Sequence, residues 1–172
     1  MEIIENKALL LKVRDPGKVT AVIPKSRALD DNKVLVHWGL DEADVLKNLK
    51  IKNVPSPILR TYAWPGLHKP FDHQKTTASF LTLNRRAFCL NEQGTGKTGS
   101  VIWAADYLMK QGRVRRVLVI CPLSIMDAAW RNDLFKFAMH RKVDIAHGKP
   151  EKRKEVIRSD AEYVVINFDG KI

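Results

Sequence analysis

Asn91-Glu92-Gln93-Gly94-Thr95-Gly96-Lys97-Thr98 is the stretch on which the reading of this 172-residue chain turns. Before it runs Arg86-Ala87-Phe88-Cys89-Leu90, apolar and strand-like. After it, Val101, Ile102, Ala105, Leu108 and Met109 recur at helical spacing, and Gln111-Gly112 closes the helix after Lys110. A strand, a glycine-rich turn ending in Gly-Lys-Thr and a helix form the context in which a phosphate-binding loop is credible. The chemistry needs these residue types. Gly94 and Gly96 permit backbone dihedrals that other residues avoid, and they let N–H groups approach phosphate oxygens. A helix that begins near Lys97 points the positive end of its dipole at the same place. Lys97 carries a mobile positive charge to the β- and γ-phosphates and is the candidate catalytic residue, and the Thr98 hydroxyl is placed to ligate magnesium. The strict pattern opens with glycine or alanine where Asn91 stands. The competing reading is a glycine-rich turn whose lysine only balances surface charge.

Working outward, Arg116 to Cys121 is a continuous apolar run, of the kind buried on both faces of a parallel sheet. Ser124 to Ala138 predicts a helix, Lys142 to Ala146 a strand, Glu151 to Ser159 a basic helix, and Tyr163 to Asn167 another strand. Strand and helix alternating at this spacing predict an α/β fold with a parallel sheet. Upstream of the loop, Asp72 to Leu83 predicts a helix with Phe80, Leu81 and Leu83 apolar. Before that, Asn53 to Pro70 holds four prolines, which keep the chain extended or turning. The chain therefore divides near residue 60. Residues 1–60 read as a small α+β domain. Ala8 to Val13 and Val34 to Trp38 are strands, Asp15-Pro16 caps and opens a helix, and Asp41 to Leu49 is a short helix with an acidic first turn. No catalytic constellation lies there. No internal repeat or low-complexity tract is evident.

The chain carries 30 Lys and Arg against 19 Asp and Glu, a net charge of +11. Residues 1–69 hold 12 basic and 8 acidic residues, and residues 70–172 hold 18 and 11, so the excess is spread over both halves. That permits a polyanionic partner and equally describes a basic soluble surface. No apolar run approaches the ~18 residues of a membrane span, and Met1 to Glu5 does not read as a signal peptide. The two cysteines, Cys89 and Cys121, both lie in apolar runs, so they read as buried and reduced, which predicts an intracellular, cytoplasmic protein. They cannot make a zinc site alone, and the five histidines sit at no ligand spacing.

With the loop in this setting the chain resembles the superfamily-2 helicases and translocases, in particular the Swi/Snf-like branch. That branch often has an acidic residue, Glu, any residue, Gly, any residue and Gly-Lys-Thr. Asn91 to Thr98 is similar, with Asn in the acidic position. The resemblance implies a RecA-like P-loop domain over residues 61–172 that binds ATP and magnesium through Glu92, Gly94, Thr95, Gly96, Lys97 and Thr98. Pro70-Phe71-Asp72-His73-Gln74, with Gln74 lying 23 residues before Lys97, looks like the segment that reads adenine, since a glutamine amide donates and accepts at once. By itself Gln74 reads as an exposed helix residue. Val119 to Ser124 with Trp130 is similar to the motif that faces a nucleic-acid backbone, which makes the Ser124 hydroxyl a candidate DNA contact. Ser124 as a helix cap, and Trp130 as core packing, are the alternatives. His147-Gly148 with Arg153 follows the next strand as in many relatives. Asn167-Phe168-Asp169 departs from the family pattern, and no DNA contact is assigned there. Trp64 to Gln74 also looks like phage-borne members of the branch, which would place the protein in a host cytoplasm.

The family's adjacent Asp-Glu carboxylates are missing, because no two acids adjoin one another after Lys97. A second RecA-like domain with its arginine finger is missing too. The resemblance therefore implies an N-terminal part of an ATP-dependent DNA helicase or translocase, truncated before the Asp-Glu box. This part would bind ATP without turning it over and would leave an incomplete sheet with an open edge. Its partner would be double-stranded or branched DNA, with no membrane. Two other classes stay open: a non-enzymatic basic nucleic-acid-binding or regulatory module, and another P-loop phosphotransferase. For the latter, Arg113, Arg115 and Arg116 cluster, but no arginine-rich lid is evident.

Overall fold

Residues 1–168 are described by the computed structural model. The chain divides into two units, Met1–Tyr62 with Leu83–Arg85, and Ala63–Thr82 with the chain from Arg86 onward.

The first unit contains β1 (Glu2–Ile4), β2 (Ala8–Lys12), α1 (Pro16–Val22), β3 (Ser26–Asp30), β4 (Lys33–His37), α2 (Leu40–Asn48) and the single turn α3 (Ile58–Thr61). Its sheet is antiparallel in the order β1-β2-β4-β3. Asp15 opens α1 as its Asp-Pro pair predicts: the carboxylate accepts from the Lys18 N–H at 3.2 Å, and Pro16 fills the first helical position. Leu9 and Leu11 on β2 and Val34 and Val36 on β4 alternate onto one face, where they pack with Val19, Ile23, Trp38 and Leu46. Leu35 and His37 face the other way and remain half-buried. Neither β1 nor β3 is evident from the sequence. The first is three residues long, and the second is almost wholly exposed, so neither shows an alternating pattern.

The second unit contains α4 (Asp72–Leu83, its last residue counted with the first unit), α5 (Lys97–Lys110), β5 (Val117–Cys121), α6 (Asn132–Ala138), β6 (Val143–Ala146), α7 (Pro150–Arg158) and β7 (Tyr163–Asn167). The three strands are parallel in the order β5-β7-β6. One face of the sheet, with Val119, Cys121, Tyr163 and Val165, packs with Ile102 of α5 and with Leu134 and Ala138 of α6. The other face sets Val164, Ile166 and Ala146 against Val156 and Ile157 of α7. The class is α/β with a RecA-like parallel sheet, preceded by a small antiparallel α+β unit.

Four expectations need correction. Residues 86–90 run without pairing to any strand among the described residues, and Phe88 and Leu90 are each 88% exposed. Apolar composition alone does not make a strand, which needs a partner for its N–H and C=O groups. Cys89 is accordingly half-buried, whereas Cys121 is buried, and burial pushes its thiol pKa up. Second, β5 is covered on one face only. It lies at the sheet edge, where Leu118 and Ile120 stay 61% and 55% exposed because α7 packs over β6 and β7. Third, the predicted helix from Ser124 breaks into a 3₁₀ turn over Leu123–Ile125, a wide π turn over Met126–Arg131, and α6. The wider turn brings residues four apart closer to one line, so Met126, Trp130 and Leu134 share a core-facing stripe. Trp130 thus packs against the core. Fourth, α5 buries Ile102, Trp103, Ala104, Asp106 and Tyr107, while Val101, Ala105, Leu108 and Met109 are only half-buried. A second apolar layer causes this: Trp103 meets Phe137 edge-on at 4.9 Å and Trp64 at 5.8 Å. Asp169 lies outside the described residues.

The buried end of α5 is held by charge. Asp106 has no exposed side-chain surface. Its carboxylate accepts from Arg141 Nε at 2.6 Å, meets His140 Nε2 at 2.8 Å, and pairs with Lys110 Nζ at 3.0 Å. Arg141 also holds Glu162, just before β7. Burial works against the Arg141 charge, but its hydrogen bonds to Asp106 and Glu162 outweigh this and raise its pKa above the ordinary value. The clasp ties α5, the α6–β6 connection and the start of β7 together. Removing Asp106 leaves the largely buried Arg141 guanidinium short of its partner, and breaking a buried pair in this way typically costs about 3–5 kcal/mol. Asp106→Ala should lower the unfolding free energy by about that amount in urea titrations. A loss below about 1 kcal/mol would show that the clasp contributes little.

Candidate phosphate-binding site

The backbone of the loop follows from two glycines. Gly94 has φ of 80° and Gly96 of 73°, both in the left-handed region where a Cβ is strained. A Cβ on Gly94 would meet nothing, whereas one on Gly96 would land on the side-chain nitrogen of Gln74. Gly96 therefore serves both the turn and the close approach of α4. It also occupies the N-cap of α5 without any side-chain cap. The first main-chain bond there runs from the Ser100 N–H to the Gly96 carbonyl at 3.2 Å. The amides of the first turn have no intrahelical partner, and they form a set of donors suited to an anion.

The loop is tied to α4 by side-chain amides. Gln74, 8% exposed, accepts from the Phe71 N–H at 2.9 Å and donates to the Thr95 carbonyl at 3.3 Å. His73 Nε2 lies 3.1 Å from the same carbonyl, and Phe71 stacks on the His73 ring with centroids 5.7 Å apart. Asn91 donates to the Thr77 hydroxyl at 2.9 Å, and Thr77 donates to the His73 carbonyl at 2.9 Å. Gln74 is thus not the exposed helix residue that its local sequence suggests. The structure places it beside the loop, bonded to the Thr95 carbonyl.

Lys97 is held by the loop itself. Its Nζ donates to the Asn91 carbonyl at 2.8 Å and the Glu92 carbonyl at 2.7 Å. The Thr95 hydroxyl donates to the Glu92 carbonyl at 2.8 Å. Glu92 therefore acts within the loop through its backbone, and its side chain is exposed. Thr98 is half-buried at the start of α5, and its hydroxyl has no partner among the described residues. That free oxygen fits a hard cation, which takes oxygen ligands. No cluster of three acidic, His or Cys side chains able to hold a metal lies among the described residues.

Ser124 lines a groove to which no residue of this loop contributes. Ser124 sits in the 3₁₀ turn after β5, exposed, and caps no helix. Its hydroxyl has no hydrogen-bond partner among the described residues. It lines a groove of about 510 Å³ with Met126, Asp127, Arg131, His147 and Lys152, beyond the C-terminal ends of β5 and β6. That is where ligands of open parallel sheets bind. His147, Arg131 and Lys152 were not assigned as site residues from the sequence; the signal was their position after strand ends. No described helix is long and apolar enough to cross a membrane.

Residues 67–170 match the family model described as type III restriction enzyme, res subunit (ResIII). Among solved structures the chain is similar to the Sulfolobus solfataricus SWI2/SNF2 ATPase core in complex with dsDNA. That likeness has 24% identity and a TM-score of 0.53, and it covers 62% of this chain and 23% of that one. The likeness is one of fold, and the chain spans about a quarter of that structure's length. No curated protein matches the chain.

Gly96→Ala tests the loop geometry. The added methyl meets both the strain of positive φ and the Gln74 amide. Nucleotide affinity measured by calorimetry should fall at least ~10-fold, equal to about 1.4 kcal/mol. Gly94→Ala, which meets no neighbour, should cost less. Equal effects would mean that backbone strain alone matters and the Gln74 contact does not.

Proposed function

We propose, on the premise that this chain belongs to the type III restriction enzyme res-subunit family (ResIII) and carries a helicase-type ATPase module, that residues 91–98 bind the triphosphate of ATP with magnesium. In the whole protein this module would couple hydrolysis to movement along DNA. The observation that carries the reading is the pair of left-handed glycines at an uncapped helix start, with the Lys97 ammonium already in the loop.

On binding, the phosphate tail would take the first-turn amides of α5. Lys97 would leave the Asn91 and Glu92 carbonyls for the β- and γ-phosphate oxygens, trading neutral acceptors for charged ones. Gln74 would present its spare donor and acceptor to the adenine edge while still holding the Thr95 carbonyl. Magnesium would be held on the protein side by the Thr98 hydroxyl, and when bound it would neutralise charge between the phosphates. DNA is the partner that the groove around Ser124 supports. Arg131, Lys152 and His147 would meet phosphates there, and the free Ser124 hydroxyl would donate to one. These 172 residues hold no adjacent Asp-Glu pair after Lys97, so they would bind ATP without positioning the attacking water. The N-terminal unit would be an accessory domain.

Three measurements test this. Lys97→Ala should weaken ATP binding at least ~10-fold, and equal affinity would end the assignment. ATP turnover by the chain should equal that of Lys97→Ala, and a Lys97-dependent rate above it would show that the water-positioning carboxylate comes from elsewhere in these residues. DNA binding that is steep in salt and indifferent to both nucleotide and Lys97 would favour a non-enzymatic module.

A further inference from the structure

We infer that the N-terminal unit carries its own nucleic-acid site, a groove on the helix-free face of its sheet that grips the sugar–phosphate backbone of a single strand. The inference stands on the first unit alone and does not depend on the phosphate loop.

The groove, about 370 Å³, crosses three neighbouring strands in their spatial order. Lys7 and Ala8 lie at the start of β2, Leu35 and His37 on β4, and Lys25 and Arg27 at the start of β3. No carboxylate lines it. Lys25 and Arg27 are two residues apart along one extended run. The ladder continues through it, since the Lys25 carbonyl accepts from the His37 N–H at 2.9 Å and Arg27 faces Leu35. Their Cα atoms therefore stand about 7 Å apart on the same face, close to the separation of successive phosphates along a nucleic-acid strand.

The cations are available. Arg27 is exposed and its side chain has no hydrogen bond or ion pair among the described residues, so its guanidinium is free for bidentate contact with a phosphate. Lys7 and Lys25 have only long partners, Glu5 at 3.9 Å and Glu42 at 4.0 Å, and their side chains are largely exposed. Such pairs contribute little and release a cation readily. His37 completes the lining, and its buried Nδ1 has no protein partner.

The occupant follows from shape and lining. An acidic peptide adding as a strand would follow a sheet edge, whereas this groove runs across strands. No aromatic side chain other than the His37 ring lines it, so bases have little to stack on and the contact is to backbone. A single strand can bend into a groove of this size.

The test is fluorescence anisotropy of the full 172-residue chain with a short labelled oligothymidine, without nucleotide, across a salt series. Lys25→Glu/Arg27→Glu should weaken binding at least ~10-fold and flatten the slope of log affinity against log salt by about 1.4, since each phosphate contact on a single strand contributes ~0.7. Lys18→Glu/Lys52→Glu removes the same charge outside the groove and should change affinity less than about two-fold. Because reversal could disturb folding, Lys25→Ala/Arg27→Ala with an unchanged thermal melt should lose affinity in the same direction. The loss should also persist when Arg131 and Lys152 are both replaced by Glu. Unchanged affinity in Lys25→Glu/Arg27→Glu, an equal loss in Lys18→Glu/Lys52→Glu, or competition by polyglutamate as strong as by oligothymidine would each overturn the proposal.

Discussion

The close approach of Gln74 to the left-handed turn at Gly96 is the constraint that organises the second unit. At no other residue type could the chain both reverse into α5 and leave room for an amide from α4. Once that turn is set, α5 starts uncapped, its first amides face outward, and Lys97 swings back onto the Asn91 and Glu92 carbonyls. Two glycines and one glutamine thus fix a helix start whose first amides are left without a side-chain cap. The loop carbonyls that hold Lys97 keep it ordered near the place where a phosphate would need it, and neutral acceptors give it up to charged ones.

A second constraint lies at the far end of the same helix. A helix whose first turn is to keep its place must be held firmly, or that turn moves with every fluctuation of the core. The Asp106 clasp, with Arg141, His140 and Lys110, supplies that hold by electrostatics, and the Trp103–Phe137 contact supplies it by packing. The uncovered side of β5, with Leu118 and Ile120 exposed, marks the direction in which this parallel sheet has room for more structure.

Much of this was legible in the sequence, for identifiable reasons. Asp15-Pro16 opened its helix because capping is a local interaction. Helix α4 falls on Asp72–Leu83 as predicted, and the strands of the parallel sheet fall within a residue of their apolar runs. What failed depends on partners that a linear reading does not see. Arg86 to Leu90 is apolar enough for a strand but has nothing to pair with among the described residues. The buried face of α5 shifted because a tryptophan layer packs on its outer side. The pairing of Asp106 with His140 and Arg141 spans 34 and 35 positions of chain, that of Arg141 with Glu162 spans 21, and no spacing rule predicts either. At the candidate site, the left-handed turn at the two glycines was legible from their chemistry. The burial of Gln74 against the loop was not, since by itself it is one more polar residue on a helix.

The central claim is that the turn from Asn91 to Thr98 is a receptacle for a triphosphate. A structure of the chain grown with a non-hydrolysable ATP analogue and magnesium tests it most directly. The account predicts phosphate oxygens within hydrogen-bond distance of the amides from Gly94 to Thr98, and Lys97 withdrawn from the Asn91 and Glu92 carbonyls. A loop unchanged, with Lys97 still on those carbonyls and the analogue bound elsewhere, would contradict it.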